Sequence, residues 1–588
     1  MKRLARIALA ILSASIFASH AAAACKIGRM AELAVTMVGL RPMVSTKING
    51  ADAHFVADSG AFYSTITPAS AAQFHLVLMP GPFNLIVTGI GGEVQMSIAT
   101  VKRFEIAGAT VPNVQFLVGG SEVGNESAGV LGQNVLGLGD VEYDLANGAI
   151  RLLRPHGCGG LPLAYWATGK SYSEMGIGET DSRSPHTTGT ASVNGVKIRV
   201  MFDTGAPTSV MSLAAARRAG IDPKSDTVIS AGQGAGLGRR MVATWIVPVD
   251  SFEIGGETIK HTRLSIVADD LAETDMLIGA DFFLSHRVYV AKSQHKLYFT
   301  YNGGPVFNLV GAPQVQSQAS DAQAPAKPDA GAPADAEGFS RQGAALAARR
   351  DFEGAIADFT HAIDMAPKEA RYVYQRGLAR LGGGQAILAM GDFDQALKLN
   401  PDYAPALIAR AEIRLAARDK AEAMVDLAAA SKHLPAQADG RLSLAELYLV
   451  AGEFVAAIGE FDAWIKAHPD DARRGTAQGG RCRARGMMGQ DLAKALADCD
   501  DALKADHKNA VDLDSRGLVH LRMGDDDKAI ADYDAALALR PKAAWSLYGR
   551  GLAKLRKGLA AQGAADIAAA TALQPLLPAQ AKARGLEP

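Results

Sequence analysis

The sequence predicts a multidomain chain in which a bilobal all-β domain precedes an all-α solenoid of helical repeats. From about residue 31 to 305, short alternating runs rich in Val, Ile, Thr and Gly indicate half-buried strands. Beyond about residue 338, Ala and Leu recur with helical periodicity and strand signals almost vanish. Each part also repeats internally, with offsets of 145 to 148 residues in the first and 34 residues in the second. At 588 residues the chain is too long for one core, so several domains are expected.

Residues 1–24 have the composition of a secretory signal peptide. Basic residues precede an apolar run from 7 to 18, and small residues 21–24 follow. The run is shorter than the roughly 20 residues of a spanning helix, so we expect cleavage and a periplasmic or secreted mature chain. Two alternatives remain open, an uncleaved anchor and a lipid on Cys25, although Ala22 stands where a larger aliphatic residue is usual for lipidation. We expect no later transmembrane segment.

Charge and cysteine content narrow the function classes. The net charge of −1 gives no electrostatic reason to expect a nucleic-acid partner. Cys25 and Cys158 bracket the first β-rich segment, while Cys482 and Cys499 lie on a predicted helix pair, and either pair could form a disulfide in an oxidising compartment. The second pair could instead be two buried thiols. Without a Cys-x-x-Cys or a tight His cluster, we expect no metal site and no cofactor.

Two short motifs carry the candidate chemistry. They read Asp-Ser/Thr-Gly-Ala and consist of Asp58, Ser59, Gly60 and Ala61, and of Asp203, Thr204, Gly205 and Ala206. Each follows an apolar strand, and nine residues before each Asp stands an Asn-Gly pair, at 49–50 or 194–195. Asn-Gly between alternating runs is a hairpin signal. We therefore expect both aspartates at the end of the second strand of equivalent hairpins.

The sequence around these motifs is duplicated. Phe-Glu-Ile at 104–106 matches 252–254, and Leu131-Gly132 matches Ile278-Gly279. The matches predict two equivalent β lobes, which we place at residues 25–160 and 161–305. Residues 306–337, rich in Ala, Pro, Gln and Asp, cannot bury a core and are expected to form a flexible linker.

Residues 338–575 are expected to form about seven helical hairpins, followed by a tail at 576–588. The landmark prolines are Pro367, Pro401, Pro435 and Pro469, then Pro541 and Pro575, with His507 at the equivalent place in a longer interval. A small residue stands 24 positions before most landmarks, and a larger side chain 8 positions before. Small residues let paired helices approach closely, large ones fill the gap to the next unit, and the proline ends the second helix.

This pattern resembles the tetratricopeptide repeat (TPR) family over about 240 residues. The fifth copy departs from it, being longer and carrying Arg483 at a small-residue position, and the seventh has Gly563 in place of an alanine. The resemblance implies a stacked solenoid whose concave surface binds a peptide or protein partner.

The duplicated Asp-Ser/Thr-Gly-Ala motif, with the later apolar-apolar-Gly segment, resembles the retropepsin-like aspartic proteases over residues 31–305. Two lobes on one chain resemble the fused, pepsin-like arrangement of that fold. The resemblance implies that Asp58 and Asp203 form a catalytic pair, supported by Ser59, Gly60 and Ala61 and by Thr204, Gly205 and Ala206. Two close carboxyl groups cannot both ionise easily, so one holds a proton while the other activates a water for attack on a peptide carbonyl.

The resemblance also implies mobile hairpins, or flaps, over the cleft. The flap candidates follow each aspartate by about 30 residues and are Gly89, Gly91 and Gly92, and Gly232 and Gly234, with Gly236 and Gly238 beyond. The alternative is two flexible loops without substrate contact.

The functional prediction is an exported aspartic endopeptidase whose repeats recruit a protein partner or substrate. Its rival is a catalytically inactive scaffold in which the β lobes bind peptide and the repeats assemble partners. A third arrangement, in which each lobe pairs with its counterpart in another chain, is unnecessary because the duplication allows closure within one chain.

Overall fold

The computed structural model describes residues 25–81, 85–121, 127–179, 186–238, 240–271, 274–307 and 333–587. The predicted signal peptide and most of the predicted linker lie outside these ranges. The strands are β1 Lys26–Val38, β2 Arg41–Ile48, β3 Ala51–Ala57, β4 Thr65–Ile66, β5 Leu78–Pro80, β6 Ile86–Gly89, β7 Gly92–Gln95, β8 Ser97–Ile106, β9 Ala109–Val118, β10 Gly129–Leu131, β11 Asp140–Asp144, β12 Ala149–His156, β13 Ser173–Gly176, β14 Thr188–Val193, β15 Val196–Phe202, β16 Val210–Ser212, β17 Ile229–Gly234, β18 Val242–Ile254, β19 Glu257–Val267, β20 Met276–Ile278, β21 His286–Ala291 and β22 Lys296–Tyr301.

The helices comprise four short ones among the strands and fifteen beyond residue 335. They are α1 Pro68–Gln73, α2 Gln133–Leu136, α3 Leu213–Arg218, α4 Ala280–Ser285, α5 Ala336–Ala348, α6 Phe352–Met365, α7 Ala370–Gly382, α8 Ala386–Leu399, α9 Ala404–Ala416, α10 Lys420–His433, α11 Gly440–Ala451, α12 Phe454–Ala467, α13 Arg474–Met488, α14 Leu492–Ala505, α15 Ala510–Met523, α16 Asp526–Leu539, α17 Ala544–Arg556, α18 Ala560–Leu573 and α19 Leu577–Lys582. The predicted fold class, two β lobes followed by a helical solenoid, is confirmed. In the described ranges, no helix is long and apolar enough to span a bilayer.

The two β lobes are built alike. In lobe 1 the strand order is β1-β2-β3-β10-β4-β9-β8-β5, closed by pairing of β2 with β8, and in lobe 2 it is β14-β15-β20-β16-β19-β18-β17, closed by β14 with β18. The Asn-Gly turns join β2 to β3 and β14 to β15, and Asn49 and Asn194 have positive φ angles of 52° and 50°, as such hairpins require. Both lobes therefore fold into small closed sheets around apolar interiors.

A further sheet joins the two lobes and shares strand β1 with lobe 1. Its strand order is β13-β22-β21-β11-β12-β1. Its centre is the antiparallel pair β11 and β21, one strand from each lobe. Beside this pair the buried Glu142 accepts hydrogen bonds from Arg151 at 2.6 Å and Arg287 at 2.7 Å. An ion pair with partners on both lobes stays satisfied only while the lobes remain joined.

The helices α5 to α18 form seven antiparallel hairpins, as the repeat period predicts. The second helix of each of the seven hairpins ends two residues before its landmark Pro or His. Gly343 lies under the Phe359 ring and Gly377 under the Phe393 ring, so each large side chain covers the small residue of its own hairpin. Phe461 and Tyr533 also reach a glycine of the following hairpin, which is the contact that the spacing predicts.

An arginine–aspartate ladder, not predicted from the sequence, runs along this solenoid. Arg410 pairs with Asp394 and Asp426, which stand 16 residues before and after it, at 2.7 and 2.6 Å. Arg550 repeats the arrangement with Asp534 and Asp566. Each arginine therefore ties two neighbouring hairpins together.

The solenoid packs against the β domain. Buried residues of α5 and α6, among them Ala345 and Phe359, share one apolar cluster with the two lobes. Arg349 also donates a hydrogen bond to the carbonyl of Gly303 in lobe 2.

Three element ends differ from the predicted boundaries. Phe307 packs edge-on against Phe252, so the chain leaves the lobe 2 core later than residue 305. Helix α5 begins at Ala336 because the Asp335 side chain accepts the Gly338 N–H and caps it. The segment predicted to be a tail contains α19, which buries Leu577 against the last hairpin.

Candidate active site

The two motif aspartates lie directly after β3 and β15, at matching places in the two lobes. The Asp58 N–H donates to the Leu131 carbonyl at 2.9 Å, and the Asp203 N–H donates to the Ile278 carbonyl at 2.8 Å. Those acceptors end β10 and β20, which run parallel to β3 and β15. A parallel neighbour therefore fixes the backbone of each aspartate at the point where its strand ends.

The hydroxyls of Ser59 and Thr204 cross the boundary between the lobes. Ser59 Oγ donates to the Phe202 carbonyl at 2.9 Å and accepts the Thr204 N–H at 2.9 Å. Thr204 Oγ1 donates to the Ala57 carbonyl at 2.6 Å and accepts the Ser59 N–H at 3.0 Å. Both side chains are buried, so this reciprocal set of four hydrogen bonds is shielded from water. It fixes the two aspartates relative to each other.

The glycines of the motifs allow the two carboxyl groups to meet. Gly60 N–H donates to Asp58 Oδ1 at 2.9 Å, and Gly205 N–H donates to Asp203 Oδ1 at 2.9 Å. A Cβ on Gly60 would overlap the Asp203 carboxyl group, and one on Gly205 would overlap that of Asp58. Each glycine is therefore required by the aspartate of the opposite lobe, and the two carboxyl groups lie close enough to influence each other's ionisation.

Burial and mutual repulsion change the acidity of this pair. Burial and the neighbouring charge of Asp203 raise the pKa of Asp58 well above its usual value. Burial also raises the pKa of Asp203, while hydrogen bonds from Asp58, Gly205 and Ala206 oppose that rise. Because two carboxylates this close repel each other, the pair is expected to hold one proton that the two carboxyl groups share.

The alanines that complete the motifs close the loops. The Ala61 carbonyl accepts the Gln133 N–H at 2.9 Å, and the Ala206 carbonyl accepts the Ala280 N–H at 2.8 Å. A further serine in each lobe, Ser64 or Ser209, supports the same turn. Ser64 Oγ donates to Asn134 Oδ1, Ser209 Oγ donates to Asp281 Oδ1, and each hydroxyl accepts the N–H of the glycine after β10 or β20.

The pair of aspartates Asp58 and Asp203, called the dyad below, lies at the base of a cleft between the lobes. The cleft has a volume of about 1760 Å³. Lobe 1 lines it with Phe62 and Tyr63, and lobe 2 with Pro207 and Thr208. The helical array also reaches this cavity, through Arg350 and through the connections that carry Asp439 and Arg473. The cleft is therefore formed by three parts of the chain.

The predicted flap glycines lie in two hairpins that meet above the dyad. Flap 1 is β6-β7 and flap 2 is β17-β18 with the turn between them. Gly238 N–H donates to the Ile90 carbonyl at 2.9 Å, and Arg240 N–H donates to the Gly91 carbonyl at 3.1 Å, so the flap tips interlock. The cleft is lined by Gly89, Gly234 and Gly236, whereas Gly91, Gly92, Gly232 and Gly238 lie in the hairpins outside its wall.

Two residues near the dyad were not identified from the sequence. Tyr143 is buried close to Ser59 and to both motif aspartates, and burial raises the pKa of its hydroxyl. His186 lines the cleft, lies against Phe62 with ring centroids 6.2 Å apart, and lowers the pKa of Asp203 through its charge. Neither belongs to a local motif, so only the fold identifies them.

In the described parts of the chain, no three His, Cys, Asp or Glu side chains come together as a metal site would require.

Comparison with known families identifies both parts of the molecule. Residues 44–135 and 189–282 each match the family described as aspartyl protease, one match per lobe. Residues 408–472 match the tetratricopeptide repeat family, and residues 517–558 match a second TPR family. The chain thus carries two segments that match the aspartyl protease family, followed by two segments that match TPR families. A search of curated proteins found no match to the chain.

Solved structures similar to the chain include TPR proteins. YrrB, described as a TPR protein with an unusual peptide-binding site, is 17% identical, and the match covers 33% of this chain and 97% of that one with a TM-score of 0.29. A tetratricopeptide repeat protein from Parabacteroides merdae is 16% identical, and the match covers 41% of this chain and 93% of that one with a TM-score of 0.31.

Proposed function

We propose that the two aspartyl-protease modules act together as one aspartic endopeptidase, with Asp58 and Asp203 as its catalytic residues. The observation that carries this proposal is the close approach of two buried carboxyl groups in a large cleft, each lying against the motif glycine of the other lobe. A carboxyl pair with one shared proton can act as acid and base at once.

The reaction follows from that proton. The ionised carboxylate takes a proton from a water molecule between the two carboxyl groups, and the water oxygen attacks the carbonyl carbon of the peptide. The protonated carboxyl group gives its proton to the carbonyl oxygen, forming a tetrahedral diol. When the C–N bond breaks, the nitrogen receives a proton from the carboxyl group that gained one. The other carboxylate takes a proton from a diol hydroxyl as the new carboxylic acid forms, and the pair returns to its starting state.

The remaining motif residues hold the pair in place. Ser59 and Thr204 set the distance between the lobes, and the N–H groups of Gly60, Gly205 and Ala206 orient the carboxyl groups. Such fixed hydrogen bonds reduce the reorganisation that the reaction requires. The two flaps close over the cleft, which excludes bulk water from the reacting atoms. An elongated cleft under paired flaps suits an extended peptide segment, hence an endopeptidase.

We also propose that the chain is exported. Besides the signal-like residues 1–24, disulfides join Cys25 to Cys158 and Cys482 to Cys499, which suits a periplasmic or secreted protein. The disulfide at Cys25 occupies the thiol that lipid attachment would need, so it favours a freely released mature chain. The TPR array is proposed to recruit a protein partner or substrate.

A digestion experiment tests the catalytic proposal. The full-length mature protein is incubated with a peptide library between pH 3 and 8, beside Asp58→Asn and Asp203→Asn. We expect cleavage by the native protein and its loss in both variants. Binding of library peptides without cleavage by any of the three would instead support the inactive scaffold. Circular dichroism of each variant controls for folding.

A further inference from the structure

The turns between successive repeat hairpins are of two lengths. Four of them contain four residues, at 366–369, 400–403, 506–509 and 540–543. The other two contain six residues, 434–439 between α10 and α11 and 468–473 between α12 and α13. These two longer turns are the ones that line the cleft, through Asp439 and through Asp471, Ala472 and Arg473. The additional residues are thus placed where the solenoid meets the protease lobes.

The 468–473 turn makes a directed contact with lobe 1. Ala472 N–H donates to Ser121 Oγ at 2.8 Å, and Ser121 is only 6% exposed. Arg473 fixes the turn, because it pairs with Asp439 and Asp471 at 2.7 Å each and lies over the Trp464 ring. The donor that reaches Ser121 therefore belongs to a rigid part of the array.

Ser121 also holds the tip of flap 2. Its N–H donates to the Leu237 carbonyl at 2.7 Å, and Leu237 lies in the turn that interlocks with flap 1. The neighbouring Gly120 lies against the Leu237 side chain. A continuous path of hydrogen bonds thus runs from the array, through Ser121, to the flap tips above the dyad.

Lobe 2 has an equivalent anchor that does not involve the array. The pairing of β4 with β9 and of β16 with β19 makes Ser121 equivalent to Asp269, three residues beyond matching positions of the two strands. Asp269 accepts the Gly91 N–H at 2.9 Å and so holds the tip of flap 1. Its other hydrogen-bond partners among the described residues, Arg240 and the Asp270 N–H, belong to lobe 2. Each flap is therefore held by the opposite lobe, but only the lobe 1 anchor is tied to the repeats.

We propose that Ser121 is a positioning residue through which the repeat array holds flap 2 closed over the dyad. Flap opening then requires either loss of the Ala472–Ser121 hydrogen bond or movement of the array with the flap. Any partner that displaces the 468–473 turn would loosen the flap. The kinetic consequence depends on the proposed peptidase function, whereas the mechanical coupling does not.

Hydrogen–deuterium exchange of the full-length protein tests the coupling without a substrate. Ser121→Ala removes the acceptor for Ala472 but keeps the N–H that holds Leu237, and Ala472→Pro removes the donor. Since a hydrogen bond contributes about 1 kcal/mol, we expect exchange at flap residues 229–238 to rise about fivefold in either variant. The double variant should show no larger effect, because both changes break the same bond. Ser127→Ala, whose hydroxyl donates only to the nearby Gly129 carbonyl, is the matched control and should leave flap exchange unchanged.

Kinetics provide the second measurement. With any peptide that the native protein cleaves, we expect Ser121→Ala to raise KM several-fold with little change in kcat, because the dyad stays intact while the closed flap is less stable. Faster exchange confined to 468–473, with the flap unchanged, would overturn the proposal, as would additive effects in the double variant. If no peptide is cleaved, the peptidase proposal fails and flap exchange alone decides the coupling.

Discussion

The two lobes are alike at the dyad and differ away from it. Ser59 and Thr204 make the same pair of hydrogen bonds in opposite directions, and each motif glycine lies against the carboxyl group of the other lobe. In the cleft walls, by contrast, Phe62 and Tyr63 of lobe 1 face Pro207 and Thr208 of lobe 2. Symmetry is thus kept around the two carboxyl groups and lost in the side chains that line the two sides of the cleft.

The largest expected effect comes from replacing either aspartate of the symmetric pair. Asp58→Asn and Asp203→Asn should each lower kcat/KM at least about a hundredfold, since each removes one half of the acid–base pair. The two losses should be similar, and Asp58→Asn/Asp203→Asn should be little worse than either because the pair acts as a unit. Initial-rate measurements on one cleaved peptide check this. A variant that keeps substantial activity would contradict the shared-proton mechanism.

The hydroxyls between the lobes should have the next largest effect. Ser59→Ala and Thr204→Val each leave buried partners without a hydrogen bond, which we expect to cost about 1–3 kcal/mol of stability. The costs should be similar in the two lobes and non-additive together, because the four bonds form one network. Thermal unfolding of the three variants measures this, with Thr204→Ser as the conservative control. Independent, additive losses would show that the lobes do not share the network.

The buried dyad should also make stability depend on pH. The raised pKa of Asp58 means that the folded state binds its proton more tightly than the unfolded chain does. Its contribution to stability is therefore fully present below the unfolded pKa of about 3.9 and is lost as pH rises through the folded pKa.

Asp58→Asn removes that titration, so it should raise the unfolding temperature at pH 7. Near pH 3 the variant and the native protein should differ little. Thermal unfolding of both proteins between pH 3 and 7 measures this difference. A variant less stable than the native protein at pH 7 would contradict a raised pKa of Asp58.

The smallest expected effect comes from the side chains that differ between the two sides of the cleft. Tyr63 lines the cleft with 49% of its surface exposed, so Tyr63→Thr should leave the fold intact while removing apolar contact with substrate. We expect a several-fold fall in kcat/KM for peptides with large apolar side chains and little change for others. Comparing cleavage-site preferences in one library measures this. An unchanged preference would mean that this wall does not contact substrate.

Local patterns explain how much of the structure could be predicted from the sequence. Asp58 and Asp203, their hairpins and the repeat helices depend on residues close together in the chain, and the duplication supplied a second copy of each signal. Ser121 and Tyr143 carry no local signature, because their roles arise from contacts more than 60 residues away. His186 is nearer in the chain to Asp203, whose pKa it lowers, but no motif joins the two residues. The packing of the solenoid on the lobes was likewise hidden, since the Ala- and Pro-rich segment before Ala336 indicates only a linker. The longer interval after Pro469 was visible in the sequence, whereas the 434–439 turn leaves the 34-residue period unchanged, and the contacts of both turns with the cleft required the fold.

The shared proton can be measured directly. NMR spectra of the protein with 13Cγ-labelled aspartate report the protonation of each carboxyl group. Spectra of Asp58→Asn and Asp203→Asn assign the two signals. At about pH 5.5, where an ordinary aspartate is almost fully ionised, we expect the dyad to retain one proton. Two fully ionised carboxylates at that pH would contradict the account.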